Sequence, residues 1–277
     1  MQLKYSVLMS IYKKEKPEYF IQSIESMINQ TLRPDEIVIV KDGELTKDLE
    51  NIIEHYIYKY PGLFNIVPLK ENVGLGKALD EGLKYCKNEL VARMDTDDIS
   101  LPERCEIQVK EFIKNPKLSI VGTMIDEFYD DPKNVISSRI VPTSNYEIHK
   151  FIKRRSPFNH PTVMFKKSDV IRCGGYGKMK RKQDLDLFSR MLNNGCYALN
   201  IDKSLVLFRS NEDNIKRRKS WTYCKSYIYV QYKIWRRGHC NLLDLAYVVI
   251  GQLVLFLAPK SLVKLISYKY LRKKYKT

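Results

Sequence analysis

Residues 90–98 read Leu90-Val91-Ala92-Arg93-Met94-Asp95-Thr96-Asp97-Asp98. An apolar run, Leu90–Met94, ends in three carboxylates packed into four positions. The period of two along an extended chain puts Asp95 and Asp97 on one side. At an effective dielectric of about 20, two like charges about 4 Å apart repel by roughly 4 kcal/mol. A cation relieves that repulsion. Carboxylate oxygens with no histidine or cysteine nearby suit Mg²⁺ or Mn²⁺ rather than zinc. The plain alternative is a solvated acidic turn in which Asp98 caps the next helix.

Working outward, the same kind of run recurs at Ser6–Ile11, Ile37–Val40 and Phe64–Leu69. Each is short and rich in Val, Ile and Leu, as buried parallel strands require. Between them the apolar spacing is helical. It predicts helices over Pro17–Asn29, Leu45–Tyr60 and Leu75–Cys86, and a fourth over Pro102–Lys114 closed by Asn115-Pro116. The alternation βαβαβαβ predicts a mostly parallel, Rossmann-like sheet with flanking helices and right-handed crossovers. Ligands of such sheets bind beyond the carboxyl ends of the strands. Those ends carry Ser10-Ile11-Tyr12, Lys41-Asp42-Gly43, Asn72-Val73-Gly74 and the Asp95–Asp98 cluster. Asp42 reads either as a turn residue before Gly43 or as an acceptor for a nucleobase or ribose.

Residues 119–141 read as short strands and turns, and further strands are expected at Tyr197–Ile201 and Ser204–Phe208. A helix is expected at Asp184–Asn193, closed by Asn194-Gly195, and helices from about Ile215 onward.

The 277 residues, 44% of them hydrophobic and 29% charged, are enough for a core and exclude disorder by composition. No run of 18 apolar residues predicts a membrane-spanning helix. The six cysteines form no CxxC pair and read as free thiols of a reducing compartment. Charge is divided along the chain: residues 1–140 hold 19 basic and 24 acidic side chains, residues 141–277 hold 29 and 8. A basic half implies a polyanionic neighbour, whether phosphates, nucleic acid or an anionic membrane. Acid is rare in that half, which singles out Asp184 and Asp186 in Gln183-Asp184-Leu185-Asp186-Leu187-Phe188. Asp184 is either a helix N-cap or a general base.

Taken together, these segments resemble the family 2 glycosyltransferases. The resemblance rests on residues 6–43, NVGLGKALDEGL (72–83), RMDTDDISLPERCEIQ (93–108), NHPTVMF (159–165), the GGY at 174–176 and QDLDLF (183–188). It implies an A-type glycosyltransferase fold and inverting transfer from a nucleotide-diphospho-sugar. It divides the chain into a nucleotide-sugar half (1–130), an acceptor half with the base (131–212) and a basic helical region (213–277). It implies that Ser10, Ile11 and Tyr12 line the nucleotide pocket, that Asp42 contacts uracil, and that Asn72 and Gly74 shape the adjoining loop. Asp95 and Thr96 belong to the nucleotide site, with Asp95 near the ribose. Asp97 ligates a Mn²⁺ or Mg²⁺ that bridges the diphosphate. Asp184 matches the base, with Asp186 as the other candidate; Gln183 stands where the family pattern has Glu. His160 is expected to face the acceptor. Arg209 is expected to touch the diphosphate or to form a surface salt bridge.

The bacterial enzymes of this kind that extend O-antigen or capsule units imply a UDP-sugar donor and a lipid-diphosphate-linked saccharide acceptor. Leu245–Ala258 is apolar but short for a bilayer. With the basic segment Lys260–Lys276 it predicts peripheral or monotopic attachment to the cytoplasmic face of the membrane. Three rivals remain at this stage, one of them a catalytically dead scaffold resembling the same family, against which the full set of carboxylates argues. A nucleic-acid binder fits the basic half but not the acidic rim, and a sugar nucleotidyltransferase lacks its glycine-rich loop after the first strand.

Overall fold

The computed structural model describes residues 3–177, 179, 181–210 and 220–258. Strands β1 (Tyr5–Ile11), β2 (Glu36–Lys41), β3 (Phe64–Pro68) and β4 (Leu90–Arg93) alternate with helices α1 (Pro17–Ile28), α2 (Lys47–Lys59) and α3 (Leu75–Tyr85). Then follow β5 (Ile99–Ser100), α4 (Arg104–Lys114), β6 (Leu118–Phe128), β7 (Ser137–Arg139) and α5 (Asn145–Phe151). A 3₁₀ turn (His160–Thr162) leads into β8 (Met164–Lys166) and α6 (Lys167–Arg172). The order closes with α7 (Gln183–Asn193), β9 (Tyr197–Arg209), α8 (Trp221–Arg236) and α9 (Leu242–Leu257).

The strands form one sheet in the order β3-β2-β1-β4-β8-β6-β9-β5, with β7 on β6. Pairings β1–β2, β1–β4, β2–β3 and β6–β9 are parallel. Pairings β4–β8, β5–β9, β6–β7 and β6–β8 are antiparallel. The sheet is therefore mixed, not mostly parallel as the alternation predicts. The difference comes from β5, β7 and β8, which have two or three residues each. Segments that short carry no readable period, and antiparallel neighbours need no crossover helix to announce them. The short strands expected within 119–141 prove to be the 11-residue β6 plus β7. The two expected at 197–208 are one strand, β9, in which Asp202 and Lys203 bulge between the Thr123–Ile201 and Met124–Ser204 pairs. The sheet continues across residue 130, since β6 pairs with β8 and β9.

Both faces of the sheet are covered. On β1, Tyr5, Val7, Met9 and Ile11 join Phe20, Ile24, Leu49 and Val109 of α1, α2 and α4. Leu8 points the other way, to Leu79 and Leu83 of α3, Leu187 of α7 and Val230 of α8. This alternation, buried on both sides, explains the near-continuous apolar runs. α3 lies so close to the sheet that a Cβ at Gly82 would collide with Val40 and Leu8. α9 begins at a capping box in which the Asn241 side chain accepts from the Asp244 amide (2.8 Å) and the Asp244 carboxylate from the Asn241 amide (3.3 Å). No helix among the described residues is long and apolar enough to cross a membrane. The basic segment 260–276 lies outside the described residues.

Candidate active site

A cavity of 2390 Å³ opens beyond the carboxyl ends of β1, β2 and β4. The acidic cluster after β4 and Asp184 at the start of α7 both line it. So do Ser10, Tyr12, Asp42, Asn72, Gly74, Thr96 and His160.

The strand pleat decides the first of these groups. Ser10 and Tyr12 face the rim, whereas Ile11 is fully buried in the core under α1 and α2. The expectation that Ile11 lines the pocket is thus corrected, because neighbouring strand residues face opposite sides. Asp42 is buried, and its two carboxylate oxygens accept from the amides of Val73 (2.7 Å) and Gly74 (3.0 Å). Asn72 Nδ2 donates to the Asp42 carbonyl at 3.2 Å. One aspartate therefore holds the loop between β3 and α3 against the end of β2. Gly74, at φ +86, adopts a backbone conformation other residues resist, and α3 starts directly after it.

Asp95, Asp97 and Asp98 each offer a carboxylate oxygen within 4.8 Å of the others. Burial, then the charges of Asp95 and Glu15, push the Asp97 carboxyl up to about 7. Burial and the charge of Asp97 raise Asp98 well above the usual carboxylate range. One Asp98 oxygen accepts from the Arg209 amide (2.9 Å), and the other is buried without a hydrogen-bond partner. An all-carboxylate set in which one guanidinium faces three carboxylates, and in which one oxygen is orphaned, fits a hard divalent cation.

Three neighbours escape a reading of the sequence. Glu15 Oε2 accepts from the Thr96 hydroxyl at 2.5 Å and lines the cavity, and burial raises its carboxyl. Arg93 is wholly buried under the cluster, donates from Nη2 to Asp95, and leaves Nε and Nη1 without partners. Its signal was a charged residue inside an apolar strand. Lys182 sits at φ +60, the one non-glycine residue with positive φ among those described. Its ammonium lies over the rings of Tyr223 (4.6 Å) and Tyr227 (4.4 Å) of α8.

Arg209 is buried, neither at the surface nor among the residues lining the cavity. Its Nε donates to the Asp97 carbonyl (2.9 Å) and Nη2 to Gln22 Oε1 (2.5 Å), and its guanidinium stacks on Tyr19. It braces the acidic turn from beneath, which replaces both expectations for it. The two helical aspartates divide in the same way. Asp186 is buried and ion-paired to Arg190 (3.1 Å) and Arg237 (2.7 Å). Asp184, in the first turn of α7, has no hydrogen bond or ion pair among the described residues and faces the cavity. Gln183 packs against Gly76 of α3, so α7 starts in contact with the nucleotide-side helix. His160 lines the cavity, 3.0 Å from the Tyr176 hydroxyl; burial and then Arg93 hold its pKa well below the ordinary value, so the ring is neutral.

A mixed sheet cored on both faces, with carboxylates gathered at one rim, defines an α/β protein of the A-type glycosyltransferase architecture. The chain belongs to glycosyltransferase family 2: the family model described as Glycosyl transferase family 2 matches residues 6–181. Among its relatives is the amylovoran biosynthesis glycosyltransferase AmsE of Erwinia amylovora, 40% identical over 80% of this chain and 82% of that one. Another is the UDP-Gal:alpha-D-GlcNAc-diphosphoundecaprenol beta-1,3-galactosyltransferase of Escherichia coli, 36% identical over 98% of this chain and 97% of that one. Among solved structures, the Pyrobaculum calidifontis mannosyltransferase PcManGT in complex with GDP-Man and Mn²⁺ superposes with a TM-score of 0.65. It is 15% identical, over 96% of this chain and 75% of that one, and the likeness is one of fold. The protein is a glycosyltransferase, which sets aside the nucleic-acid binder and the nucleotidyltransferase.

Proposed function

We infer that the enzyme transfers a hexose, with inversion, from a UDP-sugar to a lipid-linked saccharide in surface polysaccharide biosynthesis. The observation that carries this reading is the shared cavity: the Asp95–Asp97 cluster and Asp184 open onto one space. The E. coli relative's named donor and acceptor support the substrate class.

Asp95 and Asp97 would hold a Mn²⁺ or Mg²⁺. When bound, the ion neutralises charge on the leaving diphosphate. Asp42 keeps the 72–74 loop in place beside the nucleotide, with Ser10 and Tyr12 on the facing rim. Asp184 accepts the proton of an acceptor hydroxyl, whose oxygen attacks the anomeric carbon from the side opposite the diphosphate. The new C–O bond forms as the bond to the diphosphate oxygen breaks, and the electron pair leaves with UDP. One displacement turns an α-linked donor into a β-linked product. His160, neutral and fixed by Tyr176, borders the space for the acceptor.

The enzyme works at the cytoplasmic face of the membrane, attached peripherally through its C-terminal helical region. The exposed apolar side chains of α9 support this, among them Leu243 at 76% and Leu257 at 77% exposure.

The test is a thermal-shift panel of nucleotide sugars with Mn²⁺. A ligand at about 100 times its Kd adds about 2.7 kcal/mol of stability. UDP-sugars are expected to raise Tm in the wild type and in Asp184→Asn but not in Asp97→Ala. A panel in which no UDP-sugar shifts the wild type overturns the donor assignment.

A further inference from the structure

The cavity extends well past the carboxylates. Its lining continues over Lys150 in the last turn of α5, Lys153 and Arg154 just after that helix, Lys182, and Ile250 and Leu255 of α9, and this stretch is its second arm. The acids bordering this arm are already engaged. Asp244 is paired with Arg154 (2.6 Å) and accepts the Asn241 amide, and Glu147 accepts the Ser144 hydroxyl (2.9 Å). Lys150 and Lys153 stand exposed, so this part of the concave lining is cationic.

α9 gives this arm an unusual border. The helix is apolar nearly all round, and only Asp244 and Val248 of it are buried. Leu243 (76%), Ile250 (62%), Val254 (50%) and Leu257 (77%) are exposed. Ile250 belongs both to the cavity lining and to that exposed face, so the cationic floor runs into the apolar surface without a break. Two chemistries are thus juxtaposed: a compact polyanion matches the floor, and a long hydrocarbon matches the helix. A nucleic acid supplies the first without the second. A flat bilayer does not enter a concavity.

We propose that the arm between α5 and α9 is a subsite for a lipid diphosphate, with the diphosphate on Lys150 and Lys153 and the hydrocarbon along Ile250, Val254 and Leu257. The assignment rests on the proposed function, for it places the acceptor's diphosphate there and leaves its sugar to reach toward Asp184. It adds a location and a recognition chemistry that the reaction itself does not specify.

Farnesyl diphosphate is a suitable probe, having the diphosphate and an isoprenoid chain but no sugar. Its binding to the full-length protein is measured by calorimetry at physiological salt, with and without saturating UDP and Mn²⁺. It is expected to bind while UDP is bound, with farnesyl monophosphate and inorganic diphosphate each at least tenfold weaker. The double variant Lys150→Ala/Lys153→Ala is expected to bind it at least tenfold more weakly with unchanged UDP affinity. Val254→Asp is expected to weaken farnesyl diphosphate and leave inorganic diphosphate as it was. Displacement of farnesyl diphosphate by UDP, equal binding of the monophosphate, indifference to the lysine substitutions, or no binding in a protein that takes up UDP each overturns the subsite. Failure of UDP itself to bind overturns the proposed function instead, and the arm without UDP still reports on the lipid diphosphate.

Discussion

Asp184 and Asp186 lie two residues apart on one helix and meet opposite surroundings. Asp186 is closed in by Arg190 and Arg237, so removing it leaves guanidinium charge without its partner in a largely buried place. Asp186→Ala is expected to lower stability by about 3 kcal/mol, read from the urea midpoint. Asp184→Asn is expected to leave that midpoint within about 0.5 kcal/mol and to cut the transfer rate at least a hundredfold, as loss of a general base does. His160 adds a pH dependence. Its folded pKa is depressed, so the unfolded chain takes up the proton first as pH falls. Stability from this group is complete above the unfolded value of about 6.5 and is lost below it, by at most about 1.4 kcal/mol per pH unit. Urea midpoints between pH 7 and pH 5 are expected to fall less steeply in His160→Gln than in the wild type.

At the scale of elements, the site is built by contacts between a strand end and the helix or loop that follows. Asp42 ties the end of β2 to the loop before α3, and Arg209 at the end of β9 ties down the turn after β4. α3 sets the position of that loop because Gly82 lets it lie directly on Leu8 and Val40. Gly82→Ala forces this helix off the sheet, with an expected loss of about 1–3 kcal/mol in the urea midpoint. Because α3 also touches Gln183, the same variant is expected to weaken UDP binding although residue 82 is remote from the cavity. The four helices after the first four strands stand where their apolar spacing places them, within one or two residues. β5 and β8 were illegible, being too short for any period, β6 and β7 were read only as unplaced short strands within 119–141, and the long β9 read as two strands because its bulge interrupts the alternation.

Across the whole molecule, charge is segregated: acid collects at the rim of the sheet, base in the second half, and apolar surface on α9. This order predicts binding to vesicles that contain anionic lipid, falling as salt rises toward 0.5 M. Leu243→Glu in the exposed face is expected to move the protein from the membrane to the soluble fraction of cells with little change in Tm. Equal fractionation of the two proteins would remove α9 from the account of attachment.

The sequence by itself determined the βα alternation, the family and the two acidic stations, because periodicity and the spacing of charges are local properties of the chain. Only the tertiary structure decided which of these side chains meet. Among the described residues Asp184 has no hydrogen-bond or ion-pair partner while Asp186 is paired with Arg190 and Arg237, Ile11 and Arg209 are withdrawn from the cavity, and Glu15, Arg93 and Lys182 are brought to it. Each of those outcomes depends on how neighbouring elements pack or on which side of a pleat a residue falls. Proximity of that kind is created by packing the sheet between its two cores, and a linear chain does not record it.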